Sequence, residues 1–248
     1  MKVLVCISHV PDTTSKINFV NGDTEFDKNG VQYVINPNDE FGLTRAVVLK
    51  EKQGATVHVI NVGEAETEAT IRKALAIGAD EAIRVNANPK DSFFLASQIA
   101  KVAQDGGYDL IIAGKESLDN NGGMVPGMVA AIMGANFVNS CISLDVEGNS
   151  VKAVREVDGG KETVSTSLPL VVAGQKGLVD EKDLRIPNMR GIMAARTKNI
   201  TVVEPVGATE QTKVVRFEKL APKSAVKLVN PDQLDQLIDL LHNEAKVI

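Results

Sequence analysis

Tryptophan is absent from the 248 residues, and aromatic residues make up only 4% of them. So few rings make the chain a poor candidate for binding sugars or stacking on single-stranded nucleic acid. Cysteine is almost as scarce. Cys6 and Cys141 each lie inside an apolar run, which reads as buried thiols in a reducing compartment rather than as a disulfide. There is no CxxC, and the three histidines (His9, His58, His242) are scattered, so no metal site can be read. No apolar run approaches the roughly 20 residues that span a bilayer. The N-terminus has one lysine and a short apolar run without a small-residue cleavage site. It reads as a first buried strand rather than a signal peptide, and the expectation is a soluble, cytoplasmic chain, not membrane-embedded. An excess of basic charge is also missing. The formal net charge is -5 and the pI about 5.3, which argues against nucleic-acid binding driven by counterion release.

What is present is an alternation of strand and helix patterns, backed by enough apolar residues (44%) for a full core. Residues 3–7 form a continuous apolar run, as in a strand buried on both faces. Residues 12–35 read as a polar, hairpin-like excursion. A turn at Asn36, Pro37, Asn38 and Asp39 leads into a helix over about 38–52, ended by Gly54. A second buried strand covers 57–62, and a helix covers 64–77 with acids early and Gly78 as its stop. A short strand at 82–85 follows, then a helix capped by Asp91 with Leu95, Ile99 and Val102 on one face, and a strand at 110–113. This order predicts a parallel sheet with helices on both sides. Residues 138–174 read as short strands extending that sheet as antiparallel edge strands. Residues 175–200 are polar, with six basic and three acidic residues, and an irregular stretch of that length is usually functional or disordered. In the tail, Leu234, Leu237, Ile238 and Leu241 make one helical stripe that needs something to pack on.

Ligands of open parallel sheets bind at the carboxyl ends of strands. Three such ends stand out: Cys6 to Ser8, Asn61 to Gly63, and Ala113 to Lys115. The loop after the third is the most informative. It carries Gly114, Lys115, Asp119, Asn120, Asn121, Gly122, Gly123, Met124 and Val125. Its glycines allow close backbone approach, its helix start offers N–H groups to a phosphate, and its Asn and Asp side chains suit ribose hydroxyls or a base edge. The same residues also read as an ordinary turn and helix cap. Neither a Walker A sequence nor GxGxxG is present. Lys115 could neutralise a phosphate or be a solvated loop lysine. There is no GxSxG elbow; Ser8 with His9 reads as a strand end, and Asp12 and Asp39 as turn and cap residues. No catalytic constellation appears.

Residues 153–173 read AVREVDGGKETVSTSLPLVVA. This resembles the signature segment of electron transfer flavoprotein beta subunits. Other pieces agree in order: VLVCISHVPDT from residue 3, INPNDE at 35–40, TIRKALAIGADEAI at 70–83, DLIIAGKESLDNNGG at 109–123 and RIPNMRGIMAARTKNI at 185–200. The resemblance weakens after about residue 205. It implies a Rossmann-like α/β fold of the adenine nucleotide alpha hydrolase-like type, with an extended C-terminal arm. It also implies a heterodimer with a larger alpha subunit that holds most of the FAD, and one structural AMP in the beta subunit. AMP contacts would fall on Cys6, on Asn36, Pro37, Asn38 and Asp39, on Val62 and on residues 114–125. Electrons would come from acyl-CoA or other dehydrogenases and pass to a quinone oxidoreductase, with no independent turnover by this chain. The family's docking loop matches 175–200, with Leu178 as the expected anchor, Leu184 second, and basic character kept by Arg185, Arg196 and Lys198. In domain terms, residues 1–200 would be the nucleotide-binding unit and 201–248 an arm on the alpha subunit.

Two departures set the alternatives. Thr13 stands where many AMP-type members carry tyrosine. The VPDT run is common in electron-bifurcating members, in which a second FAD replaces AMP, but those usually carry a DGDTAQVGP-like loop that residues 119–125 do not match. AMP is the favoured ligand. The other readings are the bifurcating subunit and a stand-alone nucleotide sensor resembling universal stress proteins.

Overall fold

The computed structural model describes residues 1–223 and 225–248. The chain runs β1 (Lys2–Cys6), β2 (His9–Pro11), β3 (Phe19–Val20), β4 (Glu25–Phe26), β5 (Tyr33–Ile35), α1 (Pro37–Gln53), β6 (Thr56–Val62), α2 (Glu68–Ile77), β7 (Glu81–Val85), α3 (Ser92–Gly106), β8 (Leu110–Gly114) and α4 (Val125–Met133). It continues through β9 (Asn136–Glu147), β10 (Ser150–Val157), β11 (Gly160–Ser167), β12 (Leu170–Gly174), α5 (Met189–Ala195), β13 (Ile200–Val203) and α6 (Leu234–Asp239).

Nine strands form one sheet in the order β11-β10-β9-β12-β8-β1-β6-β7-β13. In that order all neighbours from β9 to β13 pair in parallel, and only the two pairings of β10, with β9 and with β11, are antiparallel. The parallel architecture expected from the sequence is present, with buried helices on both faces. One face packs β1, β6, β8 and β12 against α1 and α2 through Val3, Val5, Val57, Val59, Ile71 and Leu75; the other packs them against α3 and α4 through Leu4, Ile60, Ile99, Ile111 and Val129. The strands are apolar throughout because both faces are covered.

The strand order reverses beside β1. The chain first builds outward through β6 and β7, then crosses back through α3 to place β8 on the opposite flank of β1. The carboxyl ends of β1 and β8 thus border a topological switch point, the usual crevice for a ligand. The excursion at 12–35 contains two small ribbons, β2 with β5 and β3 with β4. Asp91 caps α3 as expected, accepting the Phe94 N–H at 2.7 Å.

Two expectations need correction. Residues 138–174 do supply the antiparallel edge expected, in β10 and β11, but the segment is not all short edge strands: β12 lies between β9 and β8 and pairs with both in parallel, and β9 is 12 residues long. Its position follows from Leu170, Val171, Val172 and Ala173, all fully buried, which suit a central strand. Residues 175–200 are not irregular throughout, since α5 packs against α2. Beyond α5, β13 pairs with β7 and carries the sheet to Val203.

Candidate nucleotide cleft

The switch point is held by one carboxylate. Asp39, in the first turn of α1, is 2% exposed. One of its oxygens accepts the Ser8 N–H at 2.7 Å and the other the Gly114 N–H at 2.9 Å. A single side chain therefore ties the end of β1 to the end of β8. Burial pushes its carboxyl up to about 6, against the pull of the Ser8, Asn36 and Gly114 donors. Gly114 is needed at this point: a Cβ there would lie 2.3 Å from Asp39 Oδ1 and 2.9 Å from Asn38 Cβ.

The loop beyond Gly114 is held from the same turn. Asn36 is fully buried; its Nδ2 donates to the Glu116 carbonyl at 2.9 Å and its Oδ1 accepts the Leu118 N–H at 3.3 Å. Asn38 Nδ2 also donates to Glu116, at 3.3 Å. Pro37 opens α1, where its missing N–H costs nothing. The residues at 36–39 and 114–125, far apart in sequence, are thus brought together, but the polar atoms of Asn36 and Asp39 shape the loop rather than stand free.

The loop tip is organised from within. Ser117 Oγ donates to Asp119 Oδ1 at 2.6 Å, and Asn120 donates to Asp119 through both its backbone and its side chain. Ser117 and Gly122 pair as an antiparallel bridge, with Asn121 in the left-handed region at φ 48°. Gly123, Met124 and Val125 lead into α4, which no side chain caps and whose second residue, Pro126, has no N–H; the remaining uncapped N–H groups of such a helix start suit an anion. Cys6 and Val62 are buried on the α3 side of the sheet at their strand ends. Burial also pushes the Cys6 thiol well above the usual range, with the Asp39 charge adding to it; it is an apolar wall, not a nucleophile.

Asn61, in the strand end the sequence singled out, precedes Val62 by one residue and so faces the opposite, α2 side of the sheet, its Oδ1 beside Gly63 and Thr67. It is 4% exposed and donates to the Ile7 carbonyl at 2.8 Å, while its Oδ1 has no partner among the described residues. Lys115 points another way. It lines an open pocket of about 530 Å³ with Ser140, Glu156, Asp158 and Lys161, along the β10–β11 hairpin.

The 175–200 segment departs from expectation. Leu178 is 4% exposed and packs under Gly174, where a Cβ would meet Leu178 Cδ2 at 2.7 Å. It cannot present an apolar knob without leaving the core. Leu184 is half-buried against the same core. Arg185 reaches back to Glu51 on α1 at 2.7 Å. Lys198 is spent on the end of α2, donating to the carbonyls of Leu75 (3.0 Å) and Ala79. The exposed apolar side chains here are Ile186, Met189, Ile192 and Met193. Of these, Ile192 lines a largely apolar pocket of about 600 Å³ between α2 and α5, with Ala69, Ala76 and Pro187, rimmed by Arg72, Lys73 and Arg196. Arg72 and Lys73, on a helix over 100 residues away in sequence, gave no sign of belonging to this face.

Among the described residues no helix is long and apolar enough to cross a membrane, and no cluster of three potential metal ligands occurs. Residues 23–207 match the family model for the electron transfer flavoprotein domain. The chain is 32% identical to the electron transfer flavoprotein subunit beta of Bacillus subtilis, with all of both chains covered. It is 34% identical to that of Bradyrhizobium diazoefficiens, again with full coverage of both. With the human subunit it shares 32% identity over 94% of this chain and 95% of the relative. On these grounds, and with the parallel sheet in place, the chain belongs to the electron transfer flavoprotein family, among its beta subunits.

Proposed function

We propose that this chain pairs with a larger, alpha-type subunit carrying most of the FAD, and that it holds AMP as a structural ligand at the β1–β8 switch point. The reading rests on one juxtaposition above all: Asp39 and Asn36 clamp the ends of β1 and β8 and the 114–125 loop into one crevice. The donor set there suits a nucleoside monophosphate. The N–H groups opening α4 would take the phosphate, and Cys6 and Val62 supply apolar walls. AMP would be a packing element here. The flavin supplies the redox chemistry, and the protein supplies its position and surroundings.

The heterodimer would take electrons from acyl-CoA or other dehydrogenases and pass them to a quinone oxidoreductase, as a soluble cytoplasmic carrier without turnover of its own. Docking would use the face built by α2 and α5. Met189 and Ile186 replace Leu178 as candidate anchors, because they are 75% and 79% exposed. Lys73 and Arg196 would orient an acidic partner, while Arg72 holds the end of α5 through the Ala195 and Lys198 carbonyls; such charges act on association rate more than on final affinity.

The test is reduction of the co-expressed heterodimer by an acyl-CoA dehydrogenase, followed by flavin absorbance. The double variant Lys73→Glu, Arg196→Glu should lower the second-order rate by about tenfold at low salt, with the gap narrowing as salt rises. An unchanged rate would remove this face from the docking account.

A further inference from the structure

The C-terminal arm divides into two parts with different partners. The first part, residues 204–219, is fastened to its own chain. Gln98 on α3 is 1% exposed, and its amide pairs both ways with the backbone of Val206. The Val206 N–H donates to Oε1 at 2.7 Å, and Nε2 donates to the Val206 carbonyl at 2.9 Å. Asp91 does two jobs. Its Oδ1 caps α3, and its Oδ2 accepts the N–H of Thr212 at 2.9 Å and that of Gln211. Farther on, the Phe217 N–H donates to the Asp23 carbonyl at 2.7 Å. Its ring stacks on Phe19 with centroids 4.7 Å apart, and Lys219 donates to Asn18 Oδ1 at 2.9 Å.

These stations lie on α3 and on the β3–β4 ribbon, elements that follow β7 and β1 at the carboxyl end of the sheet. The arm is therefore strapped along that end. A buried glutamine amide satisfied only by Val206 makes the strap part of the fold, because releasing it would strand two polar groups in the core. Beyond Lys219 the character changes. Among the described residues, the hydrogen bonds of 220–248 close within that stretch. Leu220, Val226 and Leu228 are 80% exposed or more, and Leu234 and Ile238 are exposed on α6.

We infer that residues 204–219 are a fixed strap belonging to this subunit, and that Gln98 and Asp91 are positioning residues that aim residues 220–248 at the flavin-carrying partner. The inference rests on the heterodimer reading above. Fastening the root of the arm in advance means that only the distal part must be ordered on association.

Asp91→Asn isolates the effect. Asparagine caps a helix as well as aspartate does, so α3 keeps its start, but an amide NH₂ in place of Oδ2 would face the two N–H donors of Gln211 and Thr212. Gln98→Met tests the other station at nearly constant volume. In the full-length chain, tryptic cleavage at Lys213 and Arg216 should rise by about tenfold with an unchanged circular dichroism spectrum. The dissociation constant for the co-purified alpha-type subunit should rise by about tenfold as well. Faster cleavage with a dissociation constant within about twofold of wild type would overturn the aiming role. Unchanged cleavage in Asp91→Asn would overturn the strap itself, whatever Gln98→Met does. If the wild-type chain fails to pair with an alpha-type subunit at all, the heterodimer reading falls and takes the aiming role with it, while cleavage still decides on the strap.

Discussion

Replacing Asp39 by alanine should destabilise the chain by about 3 kcal/mol at neutral pH, because it removes the acceptor of two N–H donors, one buried and one part-buried. Those donors, on Ser8 and Gly114, sit at the ends of the two strands that border the switch point. Without the carboxylate the strand ends separate and the 114–125 loop loses one of its two clamps, so nucleotide retention should fail along with stability. The effect carries a pH signature with a definite sign. The Asp39 carboxyl is raised to about 6 in the fold from an ordinary 3.8. Between those values the folded chain holds a proton that the unfolded chain has lost, so the group's contribution is fully present below the unfolded value and is lost as pH rises through about 6. The stability gap between wild type and Asp39→Ala should therefore widen on acidification from about pH 7 to about pH 4, and stay flat above about pH 7. Urea denaturation at several pH values checks this; a gap that narrows on acidification would contradict the burial argument.

The second large effect reverses the ordinary sign for a helix. Gly191 lies within α5, and glycine to alanine in a helix normally stabilises by up to about 1 kcal/mol. Here a Cβ would lie 2.3 Å from the Ala76 carbonyl oxygen on α2. Backbone cannot yield as a flexible side chain does, so α5 must move off α2. Gly191→Ala should cost about 2 kcal/mol. It should also slow reduction by the dehydrogenase more than it alters nucleotide content, because α5 begins at Met189 and ends before Arg196, whereas the candidate cleft is built on the first turn of α1. Thermal unfolding and the flavin reduction assay separate the two. A stabilised variant would mean that the two helices pack less closely than this contact requires.

These two positions also mark how far the sequence could be read. The apolar runs at β1, β6 and β8 announced buried parallel strands, and Asp91, Gly54 and Gly78 announced helix ends. Those signals are local: a period, a cap, a stop. The pairing of β12 between β9 and β8 was not legible, since four apolar residues specify burial but not the neighbour. The candidate cleft was half legible. Strand ends and a glycine-bearing loop pointed to it, but the clamp through Asp39 joins residues 75 positions apart, and the turn at 36–39 read equally well as an ordinary helix start. The docking segment was the least legible. Leucine looked like the natural anchor, yet Leu178 is drawn inward by the space that Gly174 leaves, and Lys198 closes a helix 123 residues away in sequence. The exposed side chains that replace them, Ile186 and Met189, are identified by exposure, and no sequence pattern expresses that directly.

The central claim is that the switch-point crevice holds AMP while a partner holds the flavin. Its most direct test is to co-express the chain with its alpha-type subunit, denature the purified complex and quantify the released nucleotides by chromatography. The account predicts one FAD and one AMP per heterodimer, with AMP lost and FAD kept in the Asp39→Ala complex. Two FADs and no AMP would contradict it and make the same crevice a second flavin site.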